Sequence, residues 1–307
     1  MDRPEVLVLG AINQDEVVHV SQRPAPGETV ITNSAEIFQG GKGANQAYAA
    51  AMSGLQVAVK LVSAVGDDAA GRNALASLRD AGVECSLVRT VVQVPTGRAY
   101  IAVSDDGENT IIVALGANAF VTPSALPSLI TADVVVAQSE VGAASVAALA
   151  RIATAAGSRL ILNNGPALEL DALTLAAADP LIVNEHEAAD MIGGAESDPI
   201  ELAALLRSVS AARSVLVTLG AQGSVIADAA GIRHHDSVKA EAVIDTTGAG
   251  DTFIGTFAAC VAVGEDNDTA IIRGAHAAAE AVTWRGARRR IPTHTSSETA
   301  SFTGRRA

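Results

Sequence analysis

Short continuous apolar segments alternate with longer segments of helical periodicity through most of this chain of 307 residues, and this alternation restricts the fold more than any other feature. Strands that are apolar on both faces are typical of a parallel sheet covered by helices on both sides. The sequence therefore predicts an α/β fold. The predicted strands span residues 6–10, 57–62, 134–138, 160–163, 181–184 and 215–219, and the predicted helices span residues 44–53, 71–81, 144–156, 185–192 and 200–211.

Two segments interrupt the alternation. Residues 17–38 contain extended pieces around a Pro-Ala-Pro-Gly turn, and the second segment predicts two strands, 98–104 and 109–113, around the turn Asp105-Asp106-Gly107. Turn chemistry of this kind favours an antiparallel hairpin. We predict one domain over residues 1–307, a three-layer sandwich with a mostly parallel central sheet and helices on both faces, plus a small β-sheet lid formed by about residues 13–38 and 96–113.

Charge and composition disfavour several classes of function. The net charge of −13 argues against a nucleic-acid partner, which requires clustered Lys and Arg, and the basic run at residues 288–290 is expected to be largely solvated surface. No apolar stretch is long enough to span a membrane, and the apolar run near the N-terminus is too short for a signal peptide. Cys85 and Cys260 are far apart in sequence, which is typical of reduced thiols. The sequence predicts a cytoplasmic protein.

The segment Asp245-Thr246-Thr247-Gly248-Ala249-Gly250-Asp251 carries the strongest chemical signal. It follows a β-like run at residues 241–244 and leads into an apolar helix over residues 253–263. Small residues at a helix start let backbone N–H groups approach an anion, which the helix dipole also favours. An acid beside such a site is out of place unless it accepts a proton, so Asp251 is a candidate base for phosphoryl transfer. The alternative is a simple helix cap in a glycine turn.

A second glycine-rich segment, Gly40-Gly41-Lys42-Gly43-Ala44-Asn45-Gln46, also precedes a helix. Lys42 and Asn45 supply hydrogen-bond donors, which suit a polyhydroxylated substrate. The segment is not a Walker A loop, because Gly43 stands where that motif requires Ser or Thr, and no dinucleotide-binding fingerprint follows the first strand. The alternative is a flexible turn before a helix.

Polar or glycine residues follow five of the predicted strands. Ligands of an open α/β sheet lie outside the carboxyl ends of its strands, so these residues are expected to meet at one rim. Taken alone, Asn13-Gln14-Asp15 is more simply interpreted as a turn. The rim residues are Asn13, Asp15, Glu140, Asn184, Glu187 and the segment Thr218-Leu219-Gly220-Ala221-Gln222-Gly223.

The two glycine-rich segments, in this order along the chain, resemble the N-terminal and C-terminal motifs of the PfkB carbohydrate kinases. The resemblance extends over about residues 6–292 and is strongest to the members that phosphorylate ribose. The further stretches that carry it lie at residues 13–15, 26–29, 116–119 and 275–279.

This resemblance implies a role for each matching residue. Asp251 would be the base, and the amides of Gly248, Ala249 and Gly250 would form an anion hole for the transferring phosphoryl group. Asn184 and Glu187 would arrange Mg²⁺ through water. The sugar would be bound by Asn13, Asp15, Gly41, Lys42, Asn45, Glu140 and Asp251, and ATP by Asn184, Thr218, Leu219, Gly220, Gly223, Gly250 and His276.

The same resemblance implies a monovalent-cation site, usually for K⁺. A small hydroxyl residue is expected where this chain has Arg290, and a cation there would replace or repel the ion, so activation by K⁺ is left open. The matching positions are Asp245, Thr247, Ala281, Trp284, Gly286 and Arg290.

The predicted function is transfer of the γ-phosphoryl group of ATP to the primary 5-hydroxyl of D-ribose. Two alternatives stay open: a kinase for another small sugar, such as fructose, a ketodeoxy sugar acid or a nucleoside, and a non-catalytic sugar sensor on the same fold. A nucleotide-cofactor oxidoreductase is disfavoured by the missing fingerprint. The expected partners are the sugar, ATP and a second copy of the chain, which would pair through a lid face carrying Val30, Ile101, Val103, Ile111 and Val113.

Overall fold

The computed structural model describes residues 3–105, 109–194 and 198–289. The strands in these ranges are β1 (Glu5–Leu9), β2 (Asn13–Val20), β3 (Ala35–Gly40), β4 (Ala58–Gly66), β5 (Val83–Glu84), β6 (Val88–Val91), β7 (Gly97–Ser104), β8 (Asn109–Ala114), β9 (Val134–Gln138), β10 (Arg159–Asn163), β11 (Ala178–Asn184), β12 (Val215–Thr218), β13 (Ser224–Asp228) and β14 (Gly231–His235). The α-helices are α1 (Lys42–Met52), α2 (Ala69–Asp80), α3 (Ala143–Ala156), α4 (Ala172–Ala177), α5 (Glu185–Met191), α6 (Pro199–Ser210), α7 (Ala249–Ala262) and α8 (Asn267–Ala281).

The large sheet has the strand order β14-β13-β12-β11-β10-β9-β1-β4-β5, with β6 beside β4. The strands from β12 to β4 pair in parallel, and the β13–β14 hairpin continues the sheet antiparallel at one edge. Successive side chains of a strand point to opposite faces. Val6 and Val8 accordingly join a core with Phe257 of α7, whereas Leu7 and Leu9 join a second core with Leu149 of α3. The predicted α/β architecture with helices on both faces is confirmed.

A separate sheet of four strands has the order β3-β2-β7-β8. Strands β7 and β8 pair antiparallel, as their turn chemistry predicts, although Asp106 and Gly107 of that turn lie outside the described residues. The pairing places Asp15 opposite both Phe38 and Ala99, and it places Ile101 opposite Ile111. Val30 lies in the connection between β2 and β3 rather than on the sheet.

The prediction of a β-like run at residues 241–244 is wrong. Val243 and Ile244 are largely exposed, and the described residues of this segment pair with no strand. The amide of Ile244 instead donates to the carbonyl oxygen of Val282, 2.8 Å away, at the end of α8. Its apolar side chains therefore do not indicate a place in a sheet.

The carboxyl ends of the parallel strands lie on one edge of the large sheet. The segments that follow these ends contain the predicted rim residues, which therefore lie along one edge of the sheet. These segments are residues 10–13, 139–142, 163–166, 184–187 and 218–223. None of the helices in the described ranges is long and apolar enough to cross a membrane.

Candidate active site

The start of α1 lies directly against the end of β1. Gly41 has a φ of 87°, and a Cβ there would lie 2.5 Å from the carbonyl oxygen of Ala11. A Cβ on Gly43 would lie 2.4 Å from the Cα of Gly10. These glycines thus permit a close backbone approach that any side chain would prevent. The approach brings the side chains of α1 to the rim.

Asp251 is held at the first turn of α7 by two amide side chains of α1. Its Oδ2 accepts a hydrogen bond from Nδ2 of Asn45 at 2.9 Å, and its Oδ1 accepts one from Nε2 of Gln46 at 3.0 Å. The side chain is only 7% exposed. Each oxygen keeps a lone pair with which to accept a further proton.

Gln46 is a site residue to which sequence reasoning assigned no role. Its side chain is fully buried, and Nε2 also donates to Oδ1 of Asn163 at 2.9 Å, at the end of β10. Asn163 in turn donates to the carbonyl oxygen of Ile182. Gln46 therefore ties the candidate base to two strands of the large sheet. The glycine-rich segment that contains it was the only sequence signal.

The predicted sugar-side residues of β2 lie together beside β3. Asn13 accepts a hydrogen bond at 2.8 Å from Asn118, which also donates to the carbonyl oxygen of Ile12. Asp15 is buried against Gly40. Burial raises the pKa of Asp15 to about 6; the charge of Arg288 opposes this shift, and that of Asp251 adds to it.

Glu140 and Lys42 form the other side of the sugar region. The amide of Lys42 donates to Oε2 of Glu140 at 3.0 Å. Burial raises the pKa of Glu140 to about 7, although the charge and the amide of Lys42 oppose the rise. For Lys42, burial lowers the pKa, but the carboxylates of Asp251, Glu140 and Glu187 outweigh burial and raise the value overall. Lys42 is therefore charged among several acids.

Arg288 contradicts the expectation that residues 288–290 are largely solvated. It is only 7% exposed, and its guanidinium donates to Oδ1 of Asn45 at 2.9 Å and to the carbonyl oxygen of Gly40 at 2.8 Å. Burial lowers its pKa to about 10, with Asp15 and Asp251 opposing the fall, so the side chain is charged at neutral pH. A run of arginines gives no sign that its first member is buried, because local sequence does not reveal long-range partners. The side chain of Arg289 is 68% exposed, as expected.

A cavity of about 260 Å³ joins the predicted base to the predicted nucleotide side. Groups from five separate parts of the chain line it, so the fold brings together residues that are remote in sequence. They are Lys42, Asn163, Asn184, Glu187, Thr218, Thr246, Gly248, Gly250 and Asp251.

Asn184 and Glu187 cap α5 reciprocally. The amide of Asn184 donates to Oε2 of Glu187, and the amide of Glu187 donates to Oδ1 of Asn184, both at 2.8 Å. No group of three or more His, Cys, Asp or Glu in the described residues forms a ready-made metal site. Two oxygen donors beside a cavity fit Mg²⁺, which usually keeps several waters and binds substrate phosphates.

The other predicted nucleotide residues are divided between two places. His276 lines a larger cavity of about 930 Å³ together with Thr252, Val238 and Lys239. Leu219, Gly220 and Gly223 form a tight turn in which the amide of Gly223 donates to the carbonyl oxygen of Gly220 at 3.1 Å. Thr218, the last residue of β12, directly precedes this turn and lines the smaller cavity.

The predicted anion hole is partly engaged within the chain. The amide of Ala249 donates to the carbonyl oxygen of Thr246 at 3.2 Å, so it reaches a phosphoryl oxygen only by sharing or exchanging this bond. Gly248 adopts φ 76° at the helix start, where a Cβ would lie 2.5 Å from that of Ala287.

Of the residues implied for a monovalent cation, Asp245 accepts the amides of Thr247 and Gly286, both at 2.8 Å. These bonds bring three of the predicted positions together. Ala281 is the last residue of α8, and Trp284 follows it, with the ring of Trp284 under the guanidinium of Arg289. Arg290 lies outside the described residues.

A buried carboxylate at a helix start, facing a lysine and a polar rim across one cavity, is the arrangement expected of a phosphotransferase on an α/β fold. Comparison with known proteins agrees with this class. Residues 3–294 match the pfkB family carbohydrate kinases, and the chain belongs to this family.

Individual relatives are similar over nearly their whole length. The chain is 35% identical to the ribokinase of Haemophilus influenzae over 98% of both chains. It is 36% identical to the ribokinase of Staphylococcus aureus over 94% of this chain and 96% of the other. The structure of Arabidopsis thaliana ribokinase complexed with ribose and ATP superposes with a TM-score of 0.81 at 31% identity, covering 94% of this chain and 95% of that one.

Proposed function

We propose that this protein is an ATP-dependent sugar kinase that phosphorylates the primary 5-hydroxyl of D-ribose. One observation carries the proposal: the carboxylate of Asp251 lines the same cavity as Lys42, Asn184 and Glu187. The similarity to ribokinases, one of them in complex with ribose and ATP, supports ribose as the acceptor.

In the proposed step the 5-hydroxyl oxygen of the sugar attacks the γ-phosphorus of ATP. Its proton passes to Asp251, and the bond to the oxygen that bridges the β- and γ-phosphorus breaks, which releases ADP. Asn45 and Gln46 hold the carboxylate in place because each donates to one of its oxygens. The backbone amides at the start of α7 and the ammonium of Lys42 stabilise the charge on the transferring group.

The sugar lies between β2 and the start of α1 in this proposal. Asp15, Glu140 and Asn13 accept hydrogen bonds from its hydroxyls, while Asn45 and the amides beside Gly41 donate to them. The small four-stranded sheet closes over the sugar as a lid. Exclusion of water at this point limits wasteful hydrolysis of ATP.

ATP extends from the smaller cavity towards the larger one, where His276 lies near the adenine. The Thr218–Gly223 turn borders the phosphates. Asn184 and Glu187 are the residues that would hold Mg²⁺, through water. When bound, the ion neutralises charge on the phosphates.

Two further features belong to the proposal. A monovalent cation would lie near Asp245, Thr247 and Gly286, and a comparison of activity with and without K⁺ tests whether this chain uses one. The chain would form a homodimer through the small sheet, whose strand β8 is exposed along its whole length.

The base is tested with Asp251→Asn. Loss of the proton acceptor is expected to lower turnover by roughly 10²–10⁴. ADP affinity, measured by calorimetry, should change little, because the substitution keeps the shape of the side chain. Turnover near that of the wild type would refute the assignment.

The acceptor is tested with a panel of sugars in which ADP release is measured. D-Ribose should give the highest kcat/KM, above 2-deoxyribose and fructose. Equal efficiency with fructose would favour a kinase for another sugar. ATP-independent ribose binding without any ADP release would favour the sugar sensor.

A further inference from the structure

Arg288 is a buried charged side chain that the proposed transfer step leaves without a role. Its Nε donates to Oδ1 of Asn45 at 2.9 Å, its Nη2 donates to the carbonyl oxygen of Gly40 at 2.8 Å, and its guanidinium lies 6.0 Å from the ring centre of Tyr48. Asn45 in turn contacts Asp251. Arg288 is thus one residue removed from the candidate base.

We propose that Arg288 is a positioning residue for phosphoryl transfer, which fixes the orientation of Asn45 and the place of Gly40 and so holds the groups that contact Asp251 and Asp15. The proposal rests on the function proposed above and adds a residue from the C-terminal segment to it.

The orientation of Asn45 follows from the chemistry of its two neighbours. An arginine side chain only donates hydrogen bonds, and an ionised carboxylate only accepts them. Oδ1 of Asn45 must therefore face Arg288, and Nδ2 must face Asp251. Without Arg288 the amide of Asn45 loses its contact at Oδ1 and is held only through its bond to Asp251, so its position is less tightly fixed and one of the two donors that hold Asp251 is weakened.

The second contact acts on the sugar side. Gly40 ends β3, and the carboxylate of Asp15 lies so close that a Cβ on Gly40 would meet it at 2.1 Å. The guanidinium binds the carbonyl oxygen of this same glycine. The guanidinium therefore holds the backbone against which Asp15 lies. It also places a positive charge near the buried carboxyl groups of Asp15 and Asp251.

The arrangement is costly for stability, which argues against a purely structural role. Nη1 of Arg288 is buried and has no hydrogen-bond partner among the described residues. Buried donors without partners are uncommon because they lose their hydration without compensation. Selection for stability alone would favour an apolar side chain at this place.

The test replaces Arg288 with methionine, which keeps an unbranched side chain over Tyr48 but has no donor or charge. We expect kcat with ribose to fall by about 10- to 100-fold while the KM for ATP stays within about twofold, since the nucleotide contacts are elsewhere. The matched control is Arg151→Met, the same substitution at an arginine of α3 whose side chain is 64% exposed and lies outside both cavities, which should leave kcat within about twofold.

A double-mutant cycle with Asn45→Ala separates positioning from general destabilisation. If Arg288 acts through Asn45, the double variant should have nearly the same kcat as the slower single variant. Multiplicative losses would overturn the proposal, as would a wild-type kcat in Arg288→Met. If the methionine variant does not fold, the comparison passes to Arg288→Lys, whose single ammonium does not reproduce the guanidinium fork; a wild-type kcat in that variant would also overturn it. Absence of sugar phosphorylation by the wild-type protein would instead refute the proposed function.

Discussion

Asp15 combines a buried position with a charge that the proposed function needs. Burial is the largest cause of its raised pKa of about 6, and the cation Arg288 offsets only part of that effect. Burial therefore shifts the protonation of Asp15 towards the neutral form, which predominates in the folded, ligand-free protein only below about pH 6. Retention of such an acid is a cost to stability that a binding role explains.

The stability effect has a definite sign. The folded pKa of about 6 exceeds the ordinary value of 3.8, so between these values the folded chain keeps a proton that the unfolded chain has lost. The contribution of Asp15 to stability is thus fully present below about pH 4 and falls as the pH rises through 6. Asparagine resembles the protonated acid and does not titrate.

We therefore expect Asp15→Asn to raise the melting temperature of the ligand-free protein, and to raise it more at pH 8 than at pH 5. The gain in the free energy of unfolding is at most roughly 3 kcal/mol at pH 8 and about half of that at pH 5. The KM for ribose should rise, because a hydroxyl acceptor is lost. Thermal melts at both pH values and sugar titrations measure these effects, and a lower melting temperature at pH 8 would mean that pairing with Arg288 outweighs burial.

At the scale of single residues, the sequence predicts candidate site residues only where their motifs are local. Asp251, Lys42 and Asn45 belong to glycine-rich helix starts, which can be recognised without a structure. Gln46 and Arg288 were assigned no role, because the contacts that place them in the candidate site are with residues far along the chain. The separation of Arg288 from Gly40 is 248 residues, and no local pattern encodes it.

Helices α1 and α7 cross so closely that one glycine determines their separation. A Cβ on Gly255 would lie 2.2 Å from the carbonyl oxygen of Gln46 and 2.9 Å from the backbone nitrogen of Ala50. Both contacts are to backbone, which cannot move aside as a flexible side chain can. The same crossing sets the distance between Asp251 and its two donors.

We expect Gly255→Ala to destabilise the protein by about 1–3 kcal/mol and to lower kcat, because α1 must shift away from α7. The matched control is Gly250→Ala in the same helix, where a Cβ would have no neighbour within 4 Å. That control should melt at or above the wild-type temperature. Equal melting temperatures for the two variants, measured by calorimetry, would contradict this account of the crossing.

Elements with a strong pattern were predictable, and those with a weak pattern were not. The six strands predicted from continuous apolar runs all lie in the large sheet, because such runs have few other places in a folded chain. The hairpin β13–β14 and helix α8 were not assigned from the sequence. Helix α8 is rich in alanine and has several charged residues, so its apolar face is weakly marked.

For the whole molecule, the small sheet presents apolar residues that the described chain leaves uncovered. The strand register places Ile111 and Val113 on the same face as Asp15, together with Ile101 and Val103. Ile112 lies on the opposite face with Tyr100. Ile111 and Ile112 are 52% and 64% exposed. The proposed homodimer uses the first of these faces.

Neighbouring isoleucines give a matched test of that interface. Ile111→Glu should shift the protein from dimer to monomer at micromolar concentration, because a buried unpaired carboxylate in an apolar contact is costly. Ile112→Glu introduces the same charge on the other face and should leave the dimer intact. Light scattering measures both, and a monomeric wild-type protein would contradict the proposal.

The candidate site joins parts of the chain that are far apart in sequence. Asp251 accepts a hydrogen bond from Asn45, 206 residues earlier, and Arg288 donates to Gly40, 248 residues earlier. Proteins are synthesised from the N-terminus, so the ribosome completes Asn45 and Gln46 long before the groups they serve. Premature termination upstream of Asp251 would leave these two amide side chains without the carboxylate that they contact. Under the proposed function, truncated products would consequently be inactive polypeptides rather than weakened kinases.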